Sequence, residues 1–370
     1  MGASSDRRRV GINVAILSSP ATGIGYYTLY LVQALARVES DIEFVLLGAA
    51  PSLLSSIPHG KNFQVRTAAR LQGIKRLVWQ QTALPWLAAC AQVDALHCPD
   101  FSRPLFSSVP IVNTIHDLSY LAPQPFFSFS KRMHKRALAY LALKHSDRII
   151  VVSEFTRMEV LRHYPIDAQR VTVIYHGVNP VLRAHREKPK HPFLLFVGTL
   201  EHRKDLVTLV RAFDVVRERG RISHRLVLVG QPGFGWSQIK AAIAGSRYRQ
   251  DIEICGYLKR EAVEELLQTA DLFIYPSVYE GFGMPVLEAM ACGTPVVCSR
   301  AASLPEVAGD AAEYFEPTSV EDLAAAIERV LNSPERQAVM REKGLDRVKQ
   351  FTWDECARRH CELYREALRT

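Results

Sequence analysis

The sequence predicts an α/β protein built from two consecutive domains, each with a parallel β-sheet flanked by helices. Short apolar runs typical of buried strands alternate with helical patterns along the chain. The alternation begins again after a polar stretch at 183–192. A chain of 370 residues is long enough for two separate hydrophobic cores. These observations together favour two similar halves over one continuous sheet.

Six apolar runs in the first half are predicted to be strands, because strands buried on both faces of a parallel sheet are apolar throughout. They are residues 10–17, 42–47, 95–97, 111–115, 148–152 and 171–175. A helical pattern covers 26–38, and Ser153 is expected to cap the helix that follows the fifth strand.

The second half repeats this arrangement. Its predicted strands are 193–197, 225–229, 252–254, 272–275 and 295–298, and its predicted helices are 206–219, 260–269, 285–291 and 320–331. A last helix is predicted over 353–368. We therefore expect an N-terminal domain at 1–183, a C-terminal domain at 184–352 and a terminal helix at 353–370 that packs back toward the first domain. A ligand is expected in a cleft between the domains.

Composition and charge limit where the protein acts and what it meets. No run approaches the roughly 20 apolar residues of a membrane-spanning helix, and the N-terminus lacks a secretory signal, so a cytoplasmic location is expected. The net charge is +8, and residues 1–185 hold 20 Lys and Arg against 11 Asp and Glu. Nucleic acid, an anionic membrane surface and a phosphate-bearing lipid are the candidate partners of this basic half.

The cysteines offer little chemistry of their own. Seven cysteines without a Cys-x-x-Cys pair favour reduced thiols over a disulfide framework. Cys356, His360 and Cys361 lie close together on the last predicted helix. A metal site is one interpretation of this group, but a helix that packs on the core through small residues is favoured.

The strongest local signal for a ligand is the segment 279–293, with the sequence YEGFGMPVLEAMACG. A predicted strand leads into Phe282, Gly283 and Met284, and Pro285 suits the first turn of a helix. Free N–H groups at such a helix start bind phosphate, and glycine allows its close approach. Glu288 would lie one turn inside the helix and accept hydrogen bonds from ribose hydroxyls. Glu280 would face a sugar.

The spacing of Glu280 and Glu288 resembles the E-x(7)-E motif of family 4 glycosyltransferases, which are retaining enzymes of the GT-B fold. The resemblance covers essentially the whole chain and implies two Rossmann-like domains whose parallel sheets face an interdomain cleft. The segment 197–206 is similar to the diphosphate-binding segment of the family and contains Gly198, Thr199, Arg203 and Lys204. Many members have arginine where this chain has Thr199, so the division of roles between Arg203 and Lys204 stays open.

The same resemblance assigns further residues to the site. His116, at the end of a predicted strand, is expected to contact the transferred sugar, and Gly230, Tyr257 and Leu258 to hold the nucleobase. Gly23 and Gly25 belong to a loop similar to the glycine loop of the family. That loop also invites comparison with a dinucleotide-binding oxidoreductase. Position 28 is threonine, however, and the second strand ends without an acidic residue, so that alternative is rejected.

Two stretches place basic residues among aromatic ones, around Lys75 with Trp79 and around Lys131 with Phe129. This pattern suits a membrane interface or a phosphate-bearing lipid acceptor, and equally a solvated basic helix face. Nucleic acid is not expected, because no recognition motif accompanies the charges.

The resulting hypothesis is a retaining hexosyltransferase. It would use a nucleotide sugar, GDP-mannose by resemblance, and a polyprenyl-linked oligosaccharide acceptor at the inner face of the cell membrane. His116, Arg203, Lys204 and Glu280 would carry the chemistry, without metal or other cofactor. The alternatives are an inverting transferase or epimerase of the same fold, and a non-catalytic nucleotide-sugar-binding protein.

Overall fold

The computed structural model describes residues 8–17, 23–38, 40–50, 62–68, 73–124, 126–179, 191–220 and 222–369. The chain divides into two units. The first comprises Met1–Leu118, Ser130–Gly177 and Thr352–Thr370, and the second comprises Ser119–Phe129 and Val178–Phe351. The predicted boundary at residues 183 and 184 lies outside the described residues.

The first unit contains a parallel sheet of seven strands. Its strands are β1 (Arg9–Asn13), β2 (Glu43–Ala49), β3 (Phe63–Thr67), β4 (Ala95–Cys98), β5 (Ile111–Ile115), β6 (Arg148–Val151) and β7 (Val171–Val173). The helices between them are α1 (Gly23–Leu35), α2 (Gly73–Gln81), α3 (Ala83–Cys90), α4 (Phe129–His145) and α5 (Glu154–His163). The strand order β3-β2-β1-β4-β5-β6-β7 places β1, β4 and β5 in the buried centre.

The second unit contains a parallel sheet of six strands in the order β10-β9-β8-β11-β12-β13. Its strands are β8 (Phe193–Val197), β9 (Arg225–Val229), β10 (Ile252–Gly256), β11 (Leu272–Tyr275), β12 (Val296–Ser299) and β13 (Glu313–Phe315). Its helices are α6 (Leu206–Glu218), α7 (Trp236–Gly245), α8 (Arg260–Thr269), α9 (Met284–Ala291), α10 (Leu304–Ala308), α11 (Val320–Leu331) and α12 (Pro334–Arg347). The two sheets confirm the predicted α/β class.

The last helix, α13 (Trp353–Ala367), returns to the first unit and packs against α1. The side chain of Thr352 accepts a hydrogen bond from the backbone N–H of Glu355, which caps the start of this helix. None of the helices among the described residues combines the length and hydropathy needed to cross a bilayer.

Several predicted bounds need correction. The first strand ends at Asn13 and not at residue 17, because the Asn13 side chain accepts a hydrogen bond from Ala15 N–H and turns the chain. The first helix begins at Gly23, so Gly23 and Gly25 belong to its first turn and not to a loop. The preceding residues 21 and 22 of the predicted glycine loop lie outside the described residues. Ser153 caps α5 as predicted, accepting from Thr156 N–H at 3.0 Å.

Candidate active site

Three neighbouring strands of the second sheet end in glycine, and these glycines bring the backbone into close contact. Gly198 follows β8, Gly230 follows β9, and Gly256 ends β10. Their N–H and carbonyl groups bond from strand to strand, with Gly230 donating to Gly256 at 2.8 Å. A Cβ atom at Gly230 would lie 1.8 Å from the Gly198 carbonyl oxygen. This edge therefore presents bare backbone at the carboxyl ends of the strands, where open α/β sheets bind ligands.

Replacing Gly230 by alanine is expected to destabilise the second unit by about 3 kcal/mol or more, because backbone cannot move aside cheaply and φ is +146°. Gly220 is the matched control: its φ is +68°, but nothing lies within 4 Å of the added Cβ. Gly220→Ala should therefore cost only about 1 kcal/mol. Urea unfolding measures the loss of unfolding free energy in each variant. Equal losses in Gly230→Ala and Gly220→Ala would contradict the steric account.

The turn after Gly198 presents two cations. A short 3₁₀ turn, His202–Lys204, precedes α6, and Asp205 between them has a φ of +47°, which is uncommon for a residue with a side chain. Such strain typically costs about 1 kcal/mol or more. The turn directs the Arg203 and Lys204 side chains toward the segment that follows β11, which contains Tyr279 and Glu280.

Glu280 lies at the centre of a buried ion cluster. Its Oε1 is 2.5 Å from Lys204 Nζ, and its Oε2 is 2.8 Å from Arg203 Nη1. Glu280 is 7% exposed and Lys204 is 6% exposed. Burial alone would raise the pKa of Glu280, but Arg203 and Lys204 lower it to about 2. The carboxylate is therefore ionised at neutral pH and pairs with both cations.

Three residues that the sequence analysis did not assign complete this cluster. Glu201 accepts from Arg203 Nη2 at 2.8 Å, and Tyr275 Oη accepts from Lys204 Nζ at 2.5 Å. The Ser277 hydroxyl donates to Glu280. An ammonium group has three N–H donors. Glu280 and Tyr275 occupy two of those on Lys204, which leaves one for a ligand. Tyr275 ends a buried strand and Ser277 follows it, the position at which polar side chains of open sheets meet ligands.

Hydrogen bonds from Ser303 hold the segment between β11 and α9. The Ser303 hydroxyl bonds the carbonyl oxygens of Glu280 at 3.0 Å and Phe282 at 2.9 Å. Gly283 caps the helix with a φ of +101°, and Pro285 lies in its first turn, as predicted. The first N–H groups of a helix have no partner within it, so this end of α9 offers donors to an anion.

Glu288 lies one turn inside α9 but faces a different cation from the one that Glu280 binds. Its Oε1 accepts from Arg260 Nη1 at 2.8 Å, and Arg260 also bonds Glu264. Gly293 follows the helix with a φ of +75°, a backbone conformation that glycine adopts readily. Arg260 was not identified from the sequence, because a basic residue at the start of a helix carries no signal of a partner 28 residues away.

Tyr257 and Leu258 follow β10 on the same sheet edge as the three glycines. Tyr257 is exposed and Leu258 partly so. Thr199 lies beside Gly233, where a Cβ atom would approach the Thr199 methyl group to 2.8 Å. The second unit thus collects the predicted diphosphate-binding and nucleobase-binding residues at adjacent strand ends.

His116, in the first unit, lies directly after β5. Its Nε2 is 2.8 Å from the carbonyl oxygen of Pro99. A carbonyl only accepts, so Nε2 carries the proton of the neutral ring and Nδ1 keeps its lone pair for a ligand. The Tyr27 ring packs edge-on against the imidazole, with centroids 4.7 Å apart. Burial lowers the pKa of His116 below its ordinary value, which favours this neutral form.

Behind His116, buried hydrogen bonds join α13 to the sheet. His360 Nδ1 lies 2.7 Å from the carbonyl oxygen of Cys356, so it donates, and Nε2 accepts from Tyr27 Oη at 2.9 Å. Because the Tyr27 hydroxyl donates to His360, its oxygen accepts from Thr114 at 3.2 Å. Both ring nitrogens of His360 are therefore occupied by hydrogen bonds, which explains this residue without a metal.

The chain of bonds continues to a second histidine. The Thr114 hydroxyl accepts from His97 Nε2 at 2.9 Å, and Tyr364 Oη donates to His97 Nδ1 at 2.7 Å. The N–H and O–H donors of this network can each have an acceptor only if the imidazoles of His97 and His360 are both neutral. Burial supports that state: it lowers the pKa of His97 well below its ordinary value and that of His360 to about 4.

This network predicts that acid weakens the first unit. In the unfolded chain these histidines bind protons below about pH 6.5, whereas in the folded chain His360 binds a proton only below about pH 4. The stabilisation is therefore complete above pH 6.5 and is lost as the pH falls from 6.5 toward 4. We expect His360 to account for about 2 kcal/mol of lost unfolding free energy between pH 7.5 and 5.

Urea unfolding of the wild type and of His360→Gln at both pH values tests this expectation. Glutamine retains an acceptor for Tyr27 but does not titrate in this range. Between pH 7.5 and 5, the free energy of unfolding of the variant should fall by about 2 kcal/mol less than that of the wild type. An identical pH dependence of the two proteins would show that His360 is not the titrating group.

Comparison with known proteins gives an independent view of the chain. Residues 180–347 match the family model described as "Glycosyl transferases group 1", and residues 21–182 match "Glycosyltransferase Family 4". The chain is 30% identical to the O-antigen chain mannosyltransferase B of Escherichia coli, over 94% of this chain and 96% of that protein. It is 24% identical to the O-antigen chain mannosyltransferase RfbU of Salmonella typhimurium, over 88% and 91%.

A solved structure with a similar fold is the sucrose-phosphate synthase of Thermosynechococcus elongatus, with a TM-score of 0.78. The match covers 97% of this chain and 99% of that one, at 22% identity. At this identity the likeness concerns the fold alone.

Proposed function

Because this chain is a family 4 glycosyltransferase with the GT-B fold, we propose that it moves mannose from GDP-mannose onto a polyprenyl-linked oligosaccharide, with retention of anomeric configuration. The likeness to two O-antigen chain mannosyltransferases supports mannose as the sugar and a surface polysaccharide as the product. The ion cluster of Arg203, Lys204 and Glu280 is the observation that carries the proposal.

The cluster suits the departure of a nucleoside diphosphate. Two cations fixed at strand ends stabilise the negative charge that develops on the leaving phosphate, and burial strengthens this effect. Arg203 and Lys204 would bind the diphosphate together with the start of α9, and the bare backbone at Gly198 and Gly230 allows its approach. These two cations would take the part that a metal ion plays elsewhere, so we propose that transfer is metal-independent.

The carboxylates would orient the donor. Glu288 would accept hydrogen bonds from the ribose hydroxyls, with Arg260 holding it in place. Once the diphosphate neutralises Arg203 and Lys204, Glu280 would bond less strongly to these cations and would accept a hydrogen bond from a sugar hydroxyl. His116 would meet the sugar through Nδ1, the ring nitrogen that is not bonded to Pro99.

Attack from the face of the leaving group accounts for retention. The acceptor oxygen forms its bond to the anomeric carbon as the bond to the phosphate oxygen breaks, and that phosphate oxygen takes the acceptor proton. The protein then supplies positioning and electrostatic stabilisation and needs no general base. The basic first unit would bring the enzyme to an anionic membrane surface, where a polyprenyl acceptor lies.

Product analysis tests this proposal. The enzyme is supplied with GDP-mannose or UDP-glucose, without added metal, and with a lipid-linked oligosaccharide, and the product is examined by proton NMR. We expect transfer from GDP-mannose with the anomeric configuration of the donor. An inverted product would identify an inverting transferase, and conversion of the donor without acceptor would identify an epimerase. Donor binding without turnover would leave only a binding protein.

A further inference from the structure

A surface groove of about 580 Å³ lies in the first unit. It is lined by Arg103 and residues 105–108, which follow β4, by Pro85 of α3 and by His145 at the end of α4. No predicted donor-binding or catalytic residue lines it.

Arg103 is an unusual lining residue, because it is a buried cation without a counter-ion. It is 8% exposed, and its only partners are backbone carbonyl oxygens, with Nε donating to Pro104 at 2.7 Å. Among the described residues no carboxylate lies within ion-pair distance of it, and its Nη1 has no hydrogen-bond partner. A buried cation with no carboxylate within ion-pair distance is costly. The groove therefore favours an anion, for which Ser108 and His145 offer further polar groups.

Two apolar lining residues of the groove face solvent: Phe106 is 86% exposed, and Leu105 is also exposed. Trp86, which is 64% exposed, follows the lining residue Pro85 on α3. Large apolar side chains that cluster on a surface mark an interaction site, whereas scattered ones do not. Aromatic side chains are typical of the membrane interface, where their rings lie at the level of the headgroups.

Helix α2 extends this apolar surface. Ile74, which is 73% exposed, and Val78 are spaced four residues apart and so share one helix face with Gln81. The Gln81 side chain joins that face to the groove, accepting from Leu105 N–H and donating to the Arg103 carbonyl, both at 2.9 Å. Gln81 therefore joins α2 to the segment that lines the groove, and we refer to the groove and these exposed apolar side chains together as the patch.

The charge of this part of the chain is predominantly positive. Residues 44–146 contain eleven lysines and arginines and only three acidic residues, so this stretch alone has a net charge of +8, equal to that of the whole chain. Asp94 accepts from Arg9 N–H, and Asp100 lies 3.7 Å from Arg76. An anionic surface is the complement of such a region.

We propose that this patch is a docking site for an anionic phospholipid bilayer, in which Arg103 binds a headgroup phosphate while Trp86, Leu105 and Phe106 enter the interface. The inference deepens the proposed function, because a polyprenyl-linked acceptor lies in the bilayer. Exposed apolar side chains beside a cationic groove fit a phospholipid, whose phosphate and acyl chains are adjacent. Nucleic acid would leave the exposed aliphatic side chains without a partner.

Vesicle co-sedimentation with the full chain tests the proposal. Vesicles contain phosphatidylcholine alone or with phosphatidylglycerol. The wild type should bind the anionic vesicles at least tenfold more tightly. Trp86→Ala with Phe106→Ala should lower that binding at least tenfold, and Lys144→Gln, at the end of α4, about fivefold. The matched controls are Met158→Ala with Val339→Ala, two exposed apolar residues elsewhere, and Lys240→Gln; both should bind like the wild type.

Each other outcome overturns the proposal in a distinct way. Equal binding to both vesicle types would contradict the preference for anionic lipid. Undiminished binding of the aromatic variant, Trp86→Ala with Phe106→Ala, would contradict the role of the patch in docking. If inorganic phosphate raises the melting temperature of the wild type but not of Arg103→Gln, and vesicles do not bind, the groove is a free-phosphate site. Transfer to a water-soluble oligosaccharide should be unchanged in the aromatic variant. If the wild type does not transfer sugar to the water-soluble oligosaccharide, that result counts against the proposed function, regardless of how the protein binds to vesicles.

Discussion

Replacing Lys204 by alanine is expected to lower kcat/KM for sugar transfer about a thousandfold, the upper range for removing one preorganised electrostatic group. The ammonium group has one N–H that neither Glu280 nor Tyr275 occupies, and the leaving diphosphate would take it. Steady-state release of the nucleoside diphosphate, measured at several donor concentrations, gives kcat and KM separately. The loss should fall mainly on kcat, because the charge on the phosphate grows as the bond breaks.

The fold should tolerate this change. Glu280 still has Arg203 as a partner at 2.8 Å, so no buried carboxylate is left unpaired. The control is Lys240→Ala, which removes an exposed lysine of α7 and should leave both kcat and melting temperature unchanged. Near-normal turnover in a folded Lys204→Ala enzyme would contradict the assignment of this lysine to the leaving group.

Glu280→Gln is expected to abolish measurable transfer and also to destabilise the second unit by about 3 kcal/mol at pH 7. Glutamine retains the shape of the side chain but leaves the charges of Arg203 and Lys204 buried without their shared counter-ion. The two effects differ in kind. The loss of activity would reflect the sugar contact, and the loss of stability would reflect the ion cluster.

The pH dependence of stability isolates the second effect. The pKa of Glu280 is about 2 in the folded chain, against 4.5 for an ordinary glutamate. Its stabilisation is therefore complete above pH 4.5 and is lost as the pH falls through 2. Urea unfolding at pH 7 and at pH 3 should show the difference between wild type and Glu280→Gln narrowing as the pH falls. A difference that stays constant would show that Glu280 titrates normally.

Much of the fold could be predicted from the sequence, because central parallel strands are continuously apolar. The strands missed were the edge strands β3 and β13. β3 alternates polar with apolar residues and is partly exposed, and β13 has three residues, so neither gives a buried apolar run. The spacing of Glu280 and Glu288 identified the family correctly, because a loop and a helix start at the carboxyl end of a strand have a local signature.

The contacts within the site could not be predicted, because they join residues far apart in the chain. Nothing in the sequence pairs Lys204 with Tyr275, or Tyr27 with His360, which lies 333 positions away. The last helix packs on the core through small residues as expected, among them Cys356 and Ala357. Its His360 and Tyr364 also bond buried polar groups of the sheet and of α1, which the sequence did not indicate. Polar networks of this kind depend on the completed fold and leave no periodic pattern.

Nucleotide binding tests the central claim most directly, namely that the strand ends of the second unit hold a nucleoside diphosphate through Arg203 and Lys204. Thermal-shift measurements with GDP, UDP and ADP, with and without Mg²⁺, are made on the wild type and on Lys204→Ala, because a ligand of the folded state raises the melting temperature. We predict that GDP alone stabilises the wild type, equally without Mg²⁺, and that the shift is much reduced in Lys204→Ala. The absence of a shift with any nucleotide in the folded wild type, or a shift that Lys204→Ala retains in full, would contradict the account.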